Sequence, residues 1–232
     1  MFHDLFFCLI FEFCVVIYSI DFLNSQKKGE KMPNIEEVKQ KYFSYFDRIS
    51  ARQGVKPLSD YLVKNGFFTA PASTKYHLCV EGGLLAHTLH VVKLALELKK
   101  TLAPDAPEDS VILCSLFHDC HKATDGFSNP TYLKNDMPRD TQTQPYIWNK
   151  EQLSFSGAQK SLLIVSGFVS LRQDEMQAIA YHDGPFVPSW EDINGNVYPL
   201  TFLIHFADLW SSWVTEKGRS KMKFDKFFLQ NK

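Results

Sequence analysis

Apolar residues recur three and four positions apart along most of the chain after residue 34, which is the period of an amphipathic α-helix. This pattern predicts helices over residues 35–50, 58–64, 84–99, 111–117, 158–169, 173–181 and 200–215. Pro33 and Asn34 supply start signals for the first helix. One side of that helix carries Val38, Tyr42, Tyr45 and Phe46. We therefore expect an all-α fold.

Two long stretches interrupt the helical pattern. The first, residues 126–152, is polar and contains three prolines. Tyr132-Leu133-Lys134 and Tyr146-Ile147-Trp148 flank its middle, which predicts a small β-hairpin flap. The second, residues 183–198, carries several turn signals, among them Gly184-Pro185. Because a loop of this length in a compact domain is usually functional or mobile, we predict two long functional loops.

The first 23 residues are mostly apolar, but three acids interrupt the run: Asp4, Glu12 and Asp21. The start lacks the basic residues of a secretory signal. The apolar run is long enough to be a membrane anchor, although Glu12 in the middle of the span would be costly. We favour an upstream extension, slightly ahead of an anchor, with Met32 as the natural start. The predicted parts are residues 1–31 (extension or anchor), 32–57 (N-terminal helix), 58–216 (main domain) and 217–232 (basic and aromatic tail).

Charge and cysteine content narrow the function classes. The formal net charge of -1 gives no global basic field, so wrapping of nucleic acid is not indicated. A local basic groove is compatible with this charge. Five cysteines without regular spacing do not suggest a disulfide framework. Cys79, Cys114 and Cys120 are typical of reduced thiols, and we therefore expect a cytoplasmic protein. A membrane would be a partner only if residues 1–31 are a true anchor.

The strongest candidate chemistry lies where the apolar run of residues 111–117 ends in His118 and Asp119. Two ionisable side chains at the end of an apolar helix are costly unless something pairs them. Imidazole and carboxylate groups are both good ligands for a divalent transition metal. His87, His182 and Asp208 are further candidates, and Asp208 lies within an apolar helix where an unpaired carboxylate is hard to explain. Together they suit a hydrolytic metal site with positions open for water.

The order of these residues resembles the signature of the HD-domain metal-dependent phosphohydrolase superfamily. Gly82-Gly83-Leu84-Leu85-Ala86-His87-Thr88-Leu89 is similar to the Gly-Gly-Leu-x-x-His-(Ser/Thr)-Leu segment of a bacterial and phage-associated branch. Leu116-Phe117-His118-Asp119-Cys120-His121-Lys122 is similar to its Leu-Leu-His-Asp-x-x-Lys segment. Its last two segments resemble residues 178–182 and 203–208. The similarity extends over about residues 58–216 and implies an HD-domain-like helical bundle.

The resemblance implies a role for each site residue. The metal ligands would be His87, His118, Asp119 and Asp208. The catalytic residues would be Asp119, which orients the attacking water, and Lys122, beside the scissile phosphate. His182 and His205 would contact the metal or the substrate. Weaker candidates for substrate contacts are Lys75, Lys160, Tyr132 and Trp148. We interpret the remaining nearby histidines as structural or rim residues: His77, His90 and His121.

The chain departs from the binuclear relatives in one segment, residues 156–161. Gly157 stands where those relatives carry a further histidine, and Gln159 stands in place of an acid. Tyr181 also replaces the first of two histidines found in some relatives. We therefore expect one divalent ion rather than two, and manganese, iron, nickel, cobalt and zinc all fit the ligands.

The resemblance implies a phosphohydrolase that uses metal-activated water to cleave a phosphomonoester or phosphodiester. A nucleotide or another small phosphorylated molecule is the expected substrate. Two alternatives stay open: a 3′–5′ exoribonuclease-like nuclease, and a catalytically weak nucleotide-binding module. All three require one geometry. If the Asp208 carboxylate lay beyond coordination reach of the His118 imidazole, no hydrolytic centre would exist.

Overall fold

Helices carry most of the fold in the computed structural model, which describes residues 35–136 and 144–216. The α-helices are α1 (Ile35–Phe46), α2 (Val55–Lys64), α3 (Gly83–Leu102), α4 (Glu108–Phe117), α5 (Gly157–Ser166), α6 (Gln173–Ala180) and α7 (Pro199–Trp210). Short 3₁₀ helices occupy Cys120–Lys122, Gly184–Phe186 and Pro188–Ile193, and a π-helix, Ser211–Thr215, continues α7. The predicted all-α class is confirmed.

Helices α3 and α4 form the centre of the fold. Every residue of α4 from Ser110 to Phe117 is buried, and α3 is buried along most of its length. Both helices pack against α7. A helix that is apolar all round belongs in a core, and each fully buried leucine or isoleucine side chain there contributes about 1.5–3 kcal/mol. The end of α4 is therefore held rigidly, and the polar residues that follow it have fixed positions.

Helix α1 adds an aromatic cluster to this core. The four residues predicted to share one side are all buried: Val38, Tyr42, Tyr45 and Phe46. The Tyr42 ring contacts Phe46 and Phe68, and its hydroxyl lies 2.9 Å from Ser59 Oγ. Helix α1 ends at Phe46 rather than near residue 50, and turns lead to Gly54, which precedes α2 with a φ of 87°.

Helix α2 begins three residues earlier than predicted, at Val55 instead of 58. The prediction placed the start after Pro57. A proline in the first turn is tolerated, however, because the amide hydrogen that it lacks has no partner there. The helix accordingly includes Pro57 and buries Val55, Leu58 and Leu62 on one side.

The two interruptions of the helical pattern differ. In the first, β1 (Tyr132–Lys134) and β2 (Tyr146–Trp148) pair antiparallel with Tyr132 opposite Trp148, as the predicted hairpin requires. Its tip, residues 137–143, lies outside the described residues. The second is not irregular, because two 3₁₀ helices fill most of it. Pro185, whose ring fixes φ near the helical value, is the second residue of the first of them.

Within the described part of the chain, no helix is both long enough and apolar enough to cross a membrane. The anchor hypothesis concerns residues 1–31, which lie outside that part, and the predicted tail, residues 217–232, lies outside it as well. Helix α7 was predicted to run from 200 to 215 without change. Its α-helical part ends at Trp210, and the last five residues have π-helical hydrogen bonding.

Candidate metal centre

Three helices deliver the candidate ligands. His118 caps the C-terminus of α4, Asp119 follows it, His87 lies in the second turn of α3, and Asp208 lies near the end of α7. The first residue of α3, Gly83, must be glycine, because a Cβ at that position would lie 2.0 Å from the Leu78 carbonyl oxygen. Packing of α3 against both α4 and α7 then directs the four side chains to one place.

The four candidate ligands converge. His87 Nε2 lies 3.3 Å from Asp119 Oδ2 and 3.1 Å from Asp208 Oδ1. His118 Nε2 lies 3.4 Å from Asp119 Oδ2 and 3.9 Å from Asp208 Oδ1. All four ligand atoms fall within 4.8 Å of one another. Two atoms that are each about 2.1 Å from one ion are about 3.0–3.4 Å apart in octahedral or tetrahedral coordination, which is close to these separations.

The hydrogen bonds of the two histidines leave the coordinating nitrogens free. His118 Nδ1 lies 2.9 Å from the Ser115 carbonyl oxygen, and His87 Nδ1 lies 2.9 Å from Glu216 Oε1. Each Nδ1 therefore donates its proton to an oxygen, and each Nε2 is the nitrogen that can bind a cation, in exchange for any proton that it carries. Both Nε2 atoms are buried and lack a hydrogen-bond partner. A buried nitrogen without a partner is costly, and a cation between these nitrogens and the carboxylates would satisfy both. The group could therefore hold a metal ion.

The charges of the cluster also favour a cation. Burial would raise the pKa of Asp119, but Lys122 and His118 outweigh it and hold that pKa well below its usual range. Burial likewise opposes ionisation of Asp208, whose pKa His87 lowers to about 2. Both carboxylates are therefore charged at neutral pH. Burial would lower the pKa of His87, yet the surrounding carboxylates raise it well above 6.5. A site that attracts a proton so strongly attracts a metal ion for the same reason.

Lys122 lies at the edge of the cluster. Its ammonium nitrogen is 2.5 Å from Asp119 Oδ2. Burial opposes its charge, but attraction to Asp119 overcomes this and raises the pKa of Lys122, which is therefore protonated at neutral pH. Tyr132 of the hairpin lies near enough to interact with this ammonium, and burial raises the pKa of its phenol to about 12. The hairpin thus borders the cluster on the Lys122 side.

His182 lies beside the four candidate ligands. Its Nε2 is 3.5 Å from Asp119 Oδ1 and 3.8 Å from Asp183 Oδ2, and its Nδ1 is 2.8 Å from the Ile179 carbonyl oxygen. Burial would lower its pKa, but Asp183 and Asp119 raise it to about 9. His182, Asp183 and Asp208 form a second group with ligand atoms within 4.8 Å. The sequence prediction did not include Asp183, because an acid before a glycine turn has no distinguishing pattern.

The other predicted contacts have different surroundings. His205 is buried, and its Nδ1 lies 2.8 Å from the His182 carbonyl oxygen, so it supports the turn that carries His182. Lys160 is 3% exposed and donates to Gln152 Oε1; burial lowers its pKa. Lys75 is exposed, with its ammonium 5.1 Å from the centre of the Tyr76 ring. Trp148 is half exposed on the hairpin and meets the Tyr132 ring edge-on, 4.9 Å between centroids.

Gly157, the position on which the expectation of a single ion depends, lies against the His121 ring. A Cβ added at Gly157 would lie 2.4 Å from His121 Nε2, so the His121 ring occupies the space into which a side chain at 157 would extend. His121 Nδ1 lies 3.0 Å from Ser161 Oγ and 3.7 Å from Asp119 Oδ1. Burial lowers the pKa of His121 to about 3, which keeps it neutral.

A buried carboxylate escaped the sequence prediction. Glu216 follows the π-helix, and its side chain has no exposed surface. It contacts three histidine Nδ1 atoms: those of His77, His87 and His90. The sequence carries a partial signal, because His87 and His90 are three residues apart and therefore lie on the same helix face. Nothing in the pattern indicated which acid would meet them.

Comparison with known proteins does not identify this chain. No family model, curated protein or solved structure matches it. The resemblance to the HD-domain superfamily therefore stays a hypothesis based on the four motif segments.

Proposed function

We propose that this protein is a metal-dependent phosphohydrolase of the HD-domain type, which cleaves a phosphate ester of a nucleotide or another small phosphorylated molecule. One observation carries the proposal. The imidazoles of His87 and His118 are buried, and their Nε2 atoms lack hydrogen-bond partners. Both Nε2 atoms face the carboxylates of Asp119 and Asp208. This arrangement could hold a divalent metal ion, and its nitrogen and oxygen donors are types common in hydrolytic metal centres.

A divalent ion held by these four residues would lower the pKa of water and polarise a phosphoryl oxygen. The two oxygens of Asp119 face different neighbours. Oδ2 lies on the side of His87 and His118, whereas Oδ1 faces His182 and His121. Asp119 Oδ1 is therefore placed to accept a hydrogen bond from an attacking water and to orient it, while Oδ2 contributes to the cation site.

Two cationic groups flank Asp119 and suit a phosphoryl substrate. The Lys122 ammonium would stabilise the negative charge that spreads over the phosphoryl oxygens in the transition state. Asp183 and Asp119 raise the pKa of His182 to about 9 against the effect of burial, which favours a protonated Nε2. We assign this nitrogen the role of proton donor to the departing oxygen. The site thus combines an acceptor for the water with a donor for the leaving group.

The hairpin supports a nucleotide as the substrate. Trp148 exposes half of its surface beside Tyr132, and Tyr132 in turn lies near Lys122. An exposed indole offers a face on which a base can stack, a contact worth about 1–3 kcal/mol. Its place on the Lys122 side would put the base next to the phosphate contact. The formal net charge of -1 also favours a small substrate over a nucleic acid.

The test is an activity screen on the full chain. The protein would be loaded with Mn²⁺, Ni²⁺, Co²⁺ or Zn²⁺ and offered nucleotides, cyclic dinucleotides and short RNA. We expect release of phosphate or a nucleoside monophosphate from a small substrate, abolished by Asp119→Ala. Glu191→Ala serves as the matched control, because Glu191 is an exposed acid of the second loop, and it should keep wild-type activity.

Other outcomes separate the alternatives. Turnover of RNA alone would replace the proposal by the exoribonuclease-like nuclease. Metal binding without turnover of any substrate would replace it by the nucleotide-binding module. Failure of the wild-type protein to bind any of the four ions would overturn the metal site and every function built on it.

A further inference from the structure

Glu216 has an unusual set of partners for a fully buried carboxylate. Its Oε1 lies 2.9 Å from His87 Nδ1 and 2.9 Å from His90 Nδ1, and its Oε2 lies 3.1 Å from His87 Nδ1 and contacts His77 Nδ1. Burial of an ionised carboxylate is costly unless hydrogen bonds replace its water, and three imidazole N–H groups do so here. One of the three belongs to a candidate metal ligand.

We propose that Glu216 is a positioning residue for the metal centre, which holds the His87 imidazole in the tautomer and orientation that direct its Nε2 to the ion. The inference rests on the proposed metal-dependent function. A carboxylate that accepts the Nδ1 proton of a ligating histidine fixes the tautomer and increases the basicity of the other nitrogen. His118 differs, because its Nδ1 donates to a neutral backbone carbonyl. His87 is therefore the stronger donor of the two.

The π-helix after α7 places Glu216 for this role. Eight residues of α-helix, the separation of Asp208 and Glu216, would turn through about 800°, or about 80° past two full turns. In the π-helix the Glu216 amide bonds to the Ser211 carbonyl five residues back, 2.9 Å away, which takes up one additional residue per turn. Glu216 then lies within about 20° of the face that carries Asp208. One continuous helix thus supplies both a ligand and the group that orients another ligand.

The contacts distinguish positioning from direct coordination by Glu216. His77, His87 and Glu216 lie close enough together to hold an ion of their own. However, the Glu216 oxygens lie at hydrogen-bonding distance from His87 and His90, and an ion among them would have to displace the Nδ1 protons. Among the described residues, the buried Nε2 atoms that lack hydrogen-bond partners are those of His87 and His118, on the other side of the His87 ring. The ion is therefore expected there.

The experiment compares Glu216→Gln with Glu175→Gln in the full chain. Glu175 is also a fully buried glutamate, but its partners are Arg52 and Ser110, away from the cluster. Isothermal titration with Mn²⁺ would give affinity and stoichiometry. We expect Glu216→Gln to weaken binding about 10- to 100-fold with the number of ions unchanged, and Glu175→Gln to lower stability without a change in affinity. Equal affinity of folded Glu216→Gln and wild type would overturn the inference, and so would the loss of one bound ion.

A measurement on the wild-type protein covers the case in which Glu216→Gln does not fold. Long-range ¹H–¹⁵N spectra of ¹⁵N-histidine-labelled protein with Zn²⁺ report which ring nitrogen carries the proton. We expect His87 to be protonated at Nδ1 and metal-bound at Nε2. The reverse assignment would overturn the inference even if metal binding and hydrolysis are found. Absence of Zn²⁺ and Mn²⁺ binding would instead overturn the proposed function.

Discussion

Gly157 offers a sharp test of the packing beside the candidate centre. It is the first residue of α5, and an alanine there would place its Cβ 2.4 Å from Nε2 and 2.6 Å from Cε1 of His121. Because the optimal separation of nonbonded carbon atoms is about 3.5–4.0 Å, the His121 ring would have to move away by about 1 Å. Its freedom is small: His121 is 5% exposed, its Nδ1 is held by Ser161, and its carbonyl accepts from Thr131.

The two effects of Gly157→Ala have opposite signs. Alanine in a helix gains up to about 1 kcal/mol over glycine. Overpacking in a closed region costs about 1–3 kcal/mol. Since the clash is with a buried, hydrogen-bonded ring, we expect the second effect to win and the free energy of unfolding to fall by about 1–2 kcal/mol. Urea denaturation of the full chain, followed by circular dichroism, would measure it.

A double-mutant cycle identifies the cause. His121→Ala removes the ring, so Gly157→Ala introduced in that background should be neutral or stabilising, with an interaction energy above about 1 kcal/mol. If Gly157→Ala alone is as stable as wild type, or if it costs the same with and without the His121 ring, the reasoning is refuted. The same packing predicts that Gly157→His fails to create a second metal site, so the number of Mn²⁺ ions bound should not rise.

Two further predictions concern charged groups. Arg52 binds both oxygens of Glu175, at 2.6 and 2.7 Å, and Arg52→Ala should lower the free energy of unfolding by about 3 kcal/mol at pH 7, because Glu175 stays buried. Burial opposes ionisation of Glu175, but Arg52 and Ser110 lower its pKa. The stabilisation by the Arg52–Glu175 pair is therefore lost as the pH falls below 4.5. If urea denaturation shows that Arg52→Ala destabilises the protein as much at pH 3 as at pH 7, the assignment is contradicted. His182→Ala should slow hydrolysis of a nucleotide more than that of an aryl phosphate, whose departing oxygen needs no proton, and equal loss on both would contradict its role as proton donor.

The helices were predictable because their apolar faces dictate them. The run that ends at Phe117 has no polar side, so it had to be a core helix, and the ionisable pair after it had to lie at a buried end. The predicted helix boundaries were wrong where tertiary packing overrode the local sequence signals for helix starts and ends. The predicted start at residue 58 leaves Pro57 outside the helix, although the first turn of α2 accommodates it. The second loop looked irregular because 3₁₀ turns leave no long period in the sequence.

The candidate ligands could be proposed from residue type and order, but their meeting could not be derived from spacing. His87 and Asp208 are separated from His118 by long stretches of chain, and only the packing of α3 and α7 on α4 brings them within the separations of a shared cation. A hydrolytic centre requires Asp208 to lie within reach of His118, and Asp208 Oδ1 is 3.9 Å from His118 Nε2. The prediction of one ion rather than two depends on Gly157. The structure shows that the His121 ring occupies the space that a side chain at position 157 would need.

Glu216 shows why the surroundings of a site are harder to predict than its ligands. A ligand has a demanding chemistry and often a recognisable neighbour, as His118 has in Asp119. A residue that orients a ligand needs only one acceptor atom at the right place, so any acid brought there by the fold can serve. The placement of Glu216 depends on a change from α- to π-helical hydrogen bonding after Trp210, and no periodic pattern in the sequence predicts this change. His77 and His90, which look like rim residues in the sequence, are the other two partners of this carboxylate, and their Nδ1 atoms hold Glu216 against His87.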